Sequence, residues 1–406
     1  MDLLDSLAPP RSQRSRLQES PATMRAMPDA EALCCLALVQ VPRLGSALLR
    51  RLLVHFGSFE AAWQAPTTAL LEVDGIGLLL AEAIATLRRQ LQPEAFWEQH
   101  QRQNPHFLLW TDPAYPRLLR EIPTPPPVLY YRGNLDLIQP PLDAVAIGIV
   151  GTRDPSPYGR RWTGKLSGAI AQAGYTVISG LAYGVDTEAH QACLEARGKT
   201  VAVLGTGVNV IYPPQNRALY EAILEQGGLI LSEQPSGTQP DRGAFPARNR
   251  IIAGLSRALL VTEAPGRSGA LITAHLANEF CRDVYILPNS LDNPKAAGCL
   301  SLIQQGAQPI LGAGHLLDWL RQLPPLDPQS QPLIPSAVPS QEAEAAIADL
   351  TTEQAQVYAI LSDQPISKDE IVERSGLDFH QVQIHITHLE ILGLVEVLPS
   401  DFCQRC

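Results

Sequence analysis

Lysine is nearly absent from this 406-residue chain: four (Lys165, Lys199, Lys295 and Lys368) stand beside 27 arginines. An anion bound here is therefore met by planar guanidinium forks rather than ammonium point charges, although a GC-rich codon bias would produce the same excess. Net positive charge is also missing. At -10 and a pI near 5.4, the chain cannot coat nucleic acid wholesale, so any polyanion site is a local basic pocket in an acidic body. No run of about 18 uninterrupted apolar residues occurs, and the N-terminus has no charged start followed by an apolar core. Both observations argue against a membrane span or an export signal and point to the cytoplasm. The seven cysteines (34, 35, 193, 281, 299, 403 and 406) are odd in number and sit mostly in apolar runs, which fits a reducing compartment rather than a disulfide framework. Cys403 and Cys406 form a terminal CxxC, but no second CxxC or His pair completes a metal site.

What is present suffices for sizeable cores, since 45% of residues are hydrophobic and 18% charged. Residues 1–28, rich in Ser, Pro and Arg without periodicity, are expected to be disordered. Residues 29–92 have helical periodicity broken by two related turns, VPRLGSALLRRL (41–52) and VDGIGLLLAEAI (73–84). Both resemble helix-hairpin-helix units, in which a tight turn offers backbone N–H groups to a phosphate. Asp74 and Glu82 with no base in 73–84 argue against DNA binding and favour a small packing or docking domain. Residues 93–321 are expected to form the main domain, led in by a Pro-dense extended connector over 105–142. Apolar, β-branched runs at 145–150, 176–178, 200–204, 229–231, 258–262 and 284–287 alternate there with helical stretches. That pattern predicts an α/β fold, a Rossmann-like doubly wound and mostly parallel sheet covered on both faces. A Pro/Ser linker at 322–340 precedes a last domain, 341–406, with the helix and strand pattern of a winged helix, Gly376 supplying the turn between two helices.

Ligands of doubly wound sheets collect at the carboxyl ends of the strands, and four loops there are unusual. They are GTRDPSPYGRRW (151–162), SGLAYGVDTEAH (179–190), GTGVNVIYPPQNRALY (205–220) and the pair FPARNRIIAGLS (245–256) with EAPGRSGALITA (263–274). Arg248 and Arg250 flank Asn249 at what reads as the start of a helix, where guanidiniums and a helix N-terminus both attract phosphate. Backbone amides, several arginines and Tyr212 on one rim suit a phosphodiester with stacked bases. A dinucleotide site fails on spacing, because Gly148 and Gly151 lack the third glycine of GxGxxG, as do Gly205 and Gly207. No GxSxG surrounds Ser179, Ser232 or Ser268. Asp186 and His190, four residues apart, have no third metal ligand and read as a helix N-terminal carboxylate and a packed histidine.

With GTRDPSPYG, SGLAYGVDTEAH, GTGVNVIYPPQN, SEQPSG, FPARNRIIAGLS, EAPGRSGALITA and LIQQGA in this order, the chain resembles the bacterial DNA-processing protein A family, also called Smf, over about residues 105–315. The resemblance implies a single-stranded DNA binder that loads the RecA recombinase during natural transformation, a homodimer formed through the Rossmann-like domain, and no cofactor or catalytic residue. By motif, Gly151, Thr152 and Arg153 take the place of a Gly-Ser-Arg phosphate clamp, Ser179 and Gly180 line the pocket, and Tyr212 offers a stacking face. Arg248, Arg250, Ser268, Gly269 and Thr273 complete the phosphate rim, with Asn209 as a further pocket residue. Ala270 stands where SGSL has a hydroxyl, and PNS at 288–290 replaces Pro-Gly-Ser, with Asn289 able to take a left-handed turn. The presumed recognition helix of the winged helix, about 379–392, holds His380, His385 and His388 with Glu390 and no Lys or Arg, which favours protein docking or regulation over duplex reading. The alternative is an enzyme of the lysine-decarboxylase-like phosphoribohydrolase group, whose PGGxGTxxE loop is matched only by APGRSGALITA, with Glu263 and Glu279 misplaced as catalytic carboxylates.

Overall fold

A computed structural model describes residues 29–139, 146–324, 350–361, 366–391, 395–398 and 402–405. Residues 1–28, most of the 322–340 linker and Cys406 lie outside the described residues. The chain divides into two compact units, Met1–Leu333 and Ile334–Cys406. The first opens with helices α1 (Ala30–Val39), α2 (Ser46–Phe56), α3 (Phe59–Gln64), α4 (Thr67–Leu70), α5 (Leu78–Gln90) and α6 (Pro93–Gln103). There follow β1 (Phe107–Leu109), α7 (Arg117–Arg120), β2 (Val128–Gly133), β3 (Ala146–Val150), α8 (Pro157–Gln172), β4 (Thr176–Ser179) and α9 (Val185–Glu195). The unit continues through β5 (Thr200–Leu204), α10 (Arg217–Glu225), β6 (Leu229–Ser232), α11 (Ala244–Leu255) and β7 (Ala258–Val261). It ends with α12 (Gly269–Glu279), β8 (Asp283–Ile286), α13 (Ala297–Ile303), β9 (Gln308–Pro309) and α14 (Ala313–Gln322).

The sheet runs β1-β2-β6-β5-β4-β3-β7-β8-β9, parallel from β6 to β9 and antiparallel at β1 and β2. It is a Rossmann-like, mostly parallel α/β sheet, and the apolar runs read from sequence are its central strands. The Pro-dense lead-in is more than a connector, because it supplies the edge strand β1 and its antiparallel neighbour β2. Strands such as AIGIV read as unbroken apolar runs because helices cover both faces. Ile147 and Ile149 pack with Leu166, Ile170 and Val185 of α8 and α9, whereas Ala146 and Val150 belong to the core on the other face. That second core is continuous with the leading helices, joining Leu36, Leu52, Phe59 and Ile84 to Leu229, Ile252 and Leu259.

The two hairpin-like turns correspond position by position in their caps and buried residues. Gly45 and Gly77 cap the starts of α2 and α5, and Val41/Val73 and Leu44/Ile76 are buried. Arg43 and Gly75 each take a left-handed backbone, at φ 70° and 83°, a conformation that costs glycine little and arginine more. Arg51 of the first turn pairs with Asp74 of the second at 2.7 Å.

The second unit, described by itself, has helices Thr352–Ile360, Lys368–Ser375 and Phe379–Ile391 and a three-stranded sheet of Ile366–Ser367, Phe402–Arg405 and Val395–Leu398. It is a winged helix, one helix and three strands richer in regular structure than a bare helix-turn-helix. Gly376 ends the second helix in the left-handed conformation, φ 69°, as its position predicted. Cys403 is buried in this core beside Val357 and Ile386.

Two buried histidines in the first unit couple stability to pH. His190 Nδ1 lies 2.7 Å from Thr200 Oγ1, which itself donates to the Val177 carbonyl at 2.8 Å, so the imidazole Nδ1–H is the donor. Burial, then the charge of Arg248, pushes His190 down to about 3; burial pushes His100, between the rings of Phe107 and Tyr130, down to about 4. Folded values below the ordinary 6.5 mean that the unfolded chain binds more protons, so this stability is complete above 6.5 and is lost as pH falls toward the folded values. Urea unfolding at about pH 5 is expected to show about 3 kcal/mol less stability than at 6.5 from the two sites together. His190→Gln should remove half of that acid limb; an unchanged limb would refute the assignment.

Candidate functional site

From β3 the chain steps outward through β4, β5 and β6, then returns to lay β7 along the other side of β3. The loops leaving β3 and β7 therefore diverge, and a crevice opens at their carboxyl ends, the place where doubly wound sheets bind ligands. A cleft of about 550 Å³ occupies it. Gly151, Thr152 and Arg153 line it from the loop after β3, Phe245, Arg248 and Asn249 from α11, and Arg267, Ser268, Gly269, Ala270 and Thr273 from the loop after β7 and the first turns of α12. Tyr212 and Arg242 close the rim. Four separate loops thus converge as the strand-end rule requires.

Local geometry explains each glycine and cap. A Cβ on Gly151 would sit 2.5 Å from Val185 Cγ2 and 2.8 Å from the Glu263 carbonyl oxygen, so the loop can pass only as glycine. Thr152 N donates to that carbonyl at 2.7 Å, and Thr152 Oγ1 accepts from Asp154 N at 3.2 Å. Ser268 caps α12, its Oγ accepting from Ala270 N at 3.2 Å. The helix N-terminus so formed, with its partial positive charge, faces the cleft. Ala270, nearly buried, occupies the first turn there without a hydroxyl.

The two arginines that flank Asn249 part company. The helix starts at Ala244, earlier than the sequence suggested, so both lie within it rather than at its start. Residues two apart on a helix stand roughly 200° apart. Arg248 turns inward, 4% exposed, and donates to the carbonyls of Gly180, at 2.8 Å, and Val203. Burial, opposed by the nearby Asp186, lowers it to about 10, so it remains charged at neutral pH. Asp186 accepts from the amides of Gly180 and Ala182 at 3.1 and 3.3 Å, and burial raises its pKa despite Arg248. Arg250 faces away from the cleft, clasping Glu233 at 2.5 Å and donating to Thr124 O and Ser46 Oγ.

Other predicted residues shape the site from behind. Ser179, fully buried, donates to Ile149 O on the adjacent strand at 2.6 Å, and Asn209 Oδ1 accepts at 2.7 Å from Gly237 N of the loop after β6. Gly180 leaves room for the Arg248 guanidinium, which a Cβ would strike. Asn289 departs from expectation, since its backbone is not left-handed; its amide instead donates to Glu263 Oε1 at 3.3 Å.

Three arginines on the rim, Arg153, Arg242 and Arg267, are exposed and pair with no carboxylate among the described residues. Asp186, the one acid in the lining, is occupied by backbone amides. Tyr212, 38% exposed, lies 5.3 Å from Phe245, and the Arg153 guanidinium lies 5.8 Å over that same ring. Phe245, Arg242 and Arg267 were not singled out from sequence. Two of them stand inside the quoted segments, but nothing in a loop's composition says which side chains face inward.

The family model for DNA recombination-mediator protein A matches residues 106–321, from the first strand to the last helix of the sheet unit, and that for the DprA winged helix domain matches residues 341–401. The chain belongs to the DNA-processing protein A (DprA/Smf) family. It is 48% identical over 398 residues to Protein Smf of Synechocystis, covering 93% of this chain and all of that protein. Identity to Protein Smf of Escherichia coli is 33% over 343 residues, covering 82% and 86%. The X-ray structure of DprA from Streptococcus pneumoniae matches with a TM-score of 0.61 at 33% identity, over 71% of this chain and 97% of that one. Within this DprA/Smf chain the cleft therefore lies wholly in the portion that defines the family.

Arg248→Ala would leave two buried carbonyls and the Asp186 carboxylate without their cation, and is expected to cost about 3 kcal/mol or more in urea unfolding. Arg248→Lys should recover little, because both bonds leave Nη1, which lies one bond farther along the side chain than a lysine Nζ reaches. An Arg248→Ala variant that unfolds with wild-type midpoint would show that the guanidinium does not hold these loops.

Proposed function

We propose that this chain binds single-stranded DNA in the cleft, tracking successive phosphates while bases stack on the rim, and delivers the strand to RecA recombinase without chemistry of its own. In this proposal Arg153, Arg242 and Arg267 contact phosphates, joined by Thr152, Thr273 and the amides at Ser268 and Gly269 on the α12 N-terminus. Tyr212 and Phe245 stack bases; Gly151, Ser179, Gly180, Asn209 and Arg248 shape the floor, and Arg250 fastens α11 from behind. The protein works in the cytoplasm as a homodimer assembled through the sheet unit. The domain plan that accompanies it is a helix-hairpin-helix-like lead over 29–92, the DNA-binding domain over 93–321 and a winged helix over 341–406.

The observation that carries this function is the trio of exposed, carboxylate-free arginines around a helix N-terminus and two rings at the switch point. Single-strand sites combine a cationic track with aromatic platforms, a combination a lone nucleotide pocket does not need. The family's description as a recombination mediator supports delivery to a recombinase. Charge distribution removes the objection that the chain is acidic. Residues 341–406 carry 12 acidic and three basic side chains, nearly the whole of the -10. That distribution also argues against phosphate contacts by the winged helix, whose helix Phe379–Ile391 exposes Phe379 and Ile384 and contains no Lys or Arg.

Fluorescence anisotropy of a labelled oligothymidylate across a salt series tests this. Arg153→Ala, Arg242→Ala and Arg267→Ala are each expected to weaken binding and to lower the slope of log affinity against log salt by about 0.7. Folded variants with unchanged affinity and slope would eliminate the cleft as the DNA site.

A further inference from the structure

Glu263 is a buried carboxylate that the phosphate contacts do not use. It follows β7, is fully buried, and pairs with no lysine, arginine or histidine among the described residues. An isolated buried charge costs several kcal/mol unless hydrogen bonds replace its hydration. Here four neutral donors do so. Glu263 Oε2 accepts from Ser156 N at 2.6 Å, and Oε1 accepts from Ser156 Oγ at 2.7 Å, Asn293 Nδ2 at 2.9 Å and Asn289 Nδ2 at 3.3 Å. Its main-chain oxygen accepts from Thr152 N at 2.7 Å.

All these donors come from two segments, 152–156 and 289–293, and the first of them carries Arg153. Ser156 also caps α8, its Oγ accepting from Gly159 N at 3.1 Å, and Gly159 lacks a side chain where a Cβ would stand 2.5 Å from Glu263 Oε2. From the neighbouring segment Lys295 Nζ adds contacts to Asp154 O at 2.9 Å and Oδ2 at 2.6 Å. Arg153, by contrast, has no carboxylate partner among the described residues, and its guanidinium lies over the Phe245 ring. Its place is therefore set by its backbone, which Glu263 holds on either side, at Thr152 N and through Ser156, while Val185 N donates to Thr152 O at 3.1 Å. Only an acceptor-only group can receive four donors; an amide in its place would turn an N–H toward one of them.

We propose that Glu263 is the positioning residue of the Arg153 loop, a buried anion that builds a cation site for DNA phosphate. The inference rests on the cleft binding single-stranded DNA. Simple electrostatics predicts the opposite effect to positioning, since neutralising a carboxylate beside a polyanion site should tighten binding. The test is oligothymidylate anisotropy over a salt series with full-length wild type, Arg153→Ala, Glu263→Gln and the double variant. Glu263→Gln is expected to weaken binding several-fold, to lower the salt slope by about 0.7, and to add nothing further in the Arg153→Ala background. Tighter or unchanged binding by Glu263→Gln, or effects that add fully in the double variant, would overturn the proposal. Should Glu263→Gln fail to fold by circular dichroism, Ser156→Ala, which keeps the charge and removes one donor, is judged by the same criteria. An Arg153→Ala variant that binds like wild type would instead sink the DNA cleft itself.

Discussion

The Arg248 guanidinium, buried across the carboxyl ends of β4 and β5, is the contact on which the site's architecture depends. It ties α11 to the carbonyls of Gly180 and Val203 and balances Asp186, which in turn gathers the amides of Gly180 and Ala182. A buried charge is tolerable only with hydrogen bonds and a countercharge of this kind close by. The requirement spreads outward: Gly180 must lack a side chain, and His190 on the next turn of α9 stays neutral beside the cation. Because α11 is held there, Phe245 packs on Gly205 and faces Tyr212 across the rim.

Charge in this site is sorted by depth. Arg248, Asp186 and Glu263 lie buried, each hydrogen-bonded to neutral backbone, hydroxyl or amide groups, and they shape loops. Arg153, Arg242 and Arg267 lie exposed without carboxylate partners, and so keep their donors for a ligand. Arg250 belongs to neither set, its fork spent on Glu233 and on the leading helices. An acidic chain can therefore hold a cationic cleft, because most of its excess acid resides between 341 and 406.

Much of the fold was legible from periodicity. Unbroken apolar runs separated by helical stretches can be satisfied only by strands covered on both faces, and the six runs so read are β3 to β8. β1 and β2 escaped notice because prolines crowd between them, a pattern that reads as extended but unpaired; both pair antiparallel at the sheet edge, where missing N–H groups are tolerated. β9, two residues long, has too little pattern to be seen.

The site divides along the same line. Sequence alone determined that glycine-rich loops follow the strands, that arginine is the available cation, and that Gly376 turns the winged helix, since each depends on local backbone and composition. It also carried the family resemblance through the order of its motifs. Only the tertiary structure decided that Arg248 turns in and Arg250 away, that Ser179 and Asn209 serve the scaffold, and that Phe245, Arg242 and Arg267 reach the cleft. A side chain's direction follows from helix phase and from which buried groups still need partners, and neither quantity exists until the elements have packed.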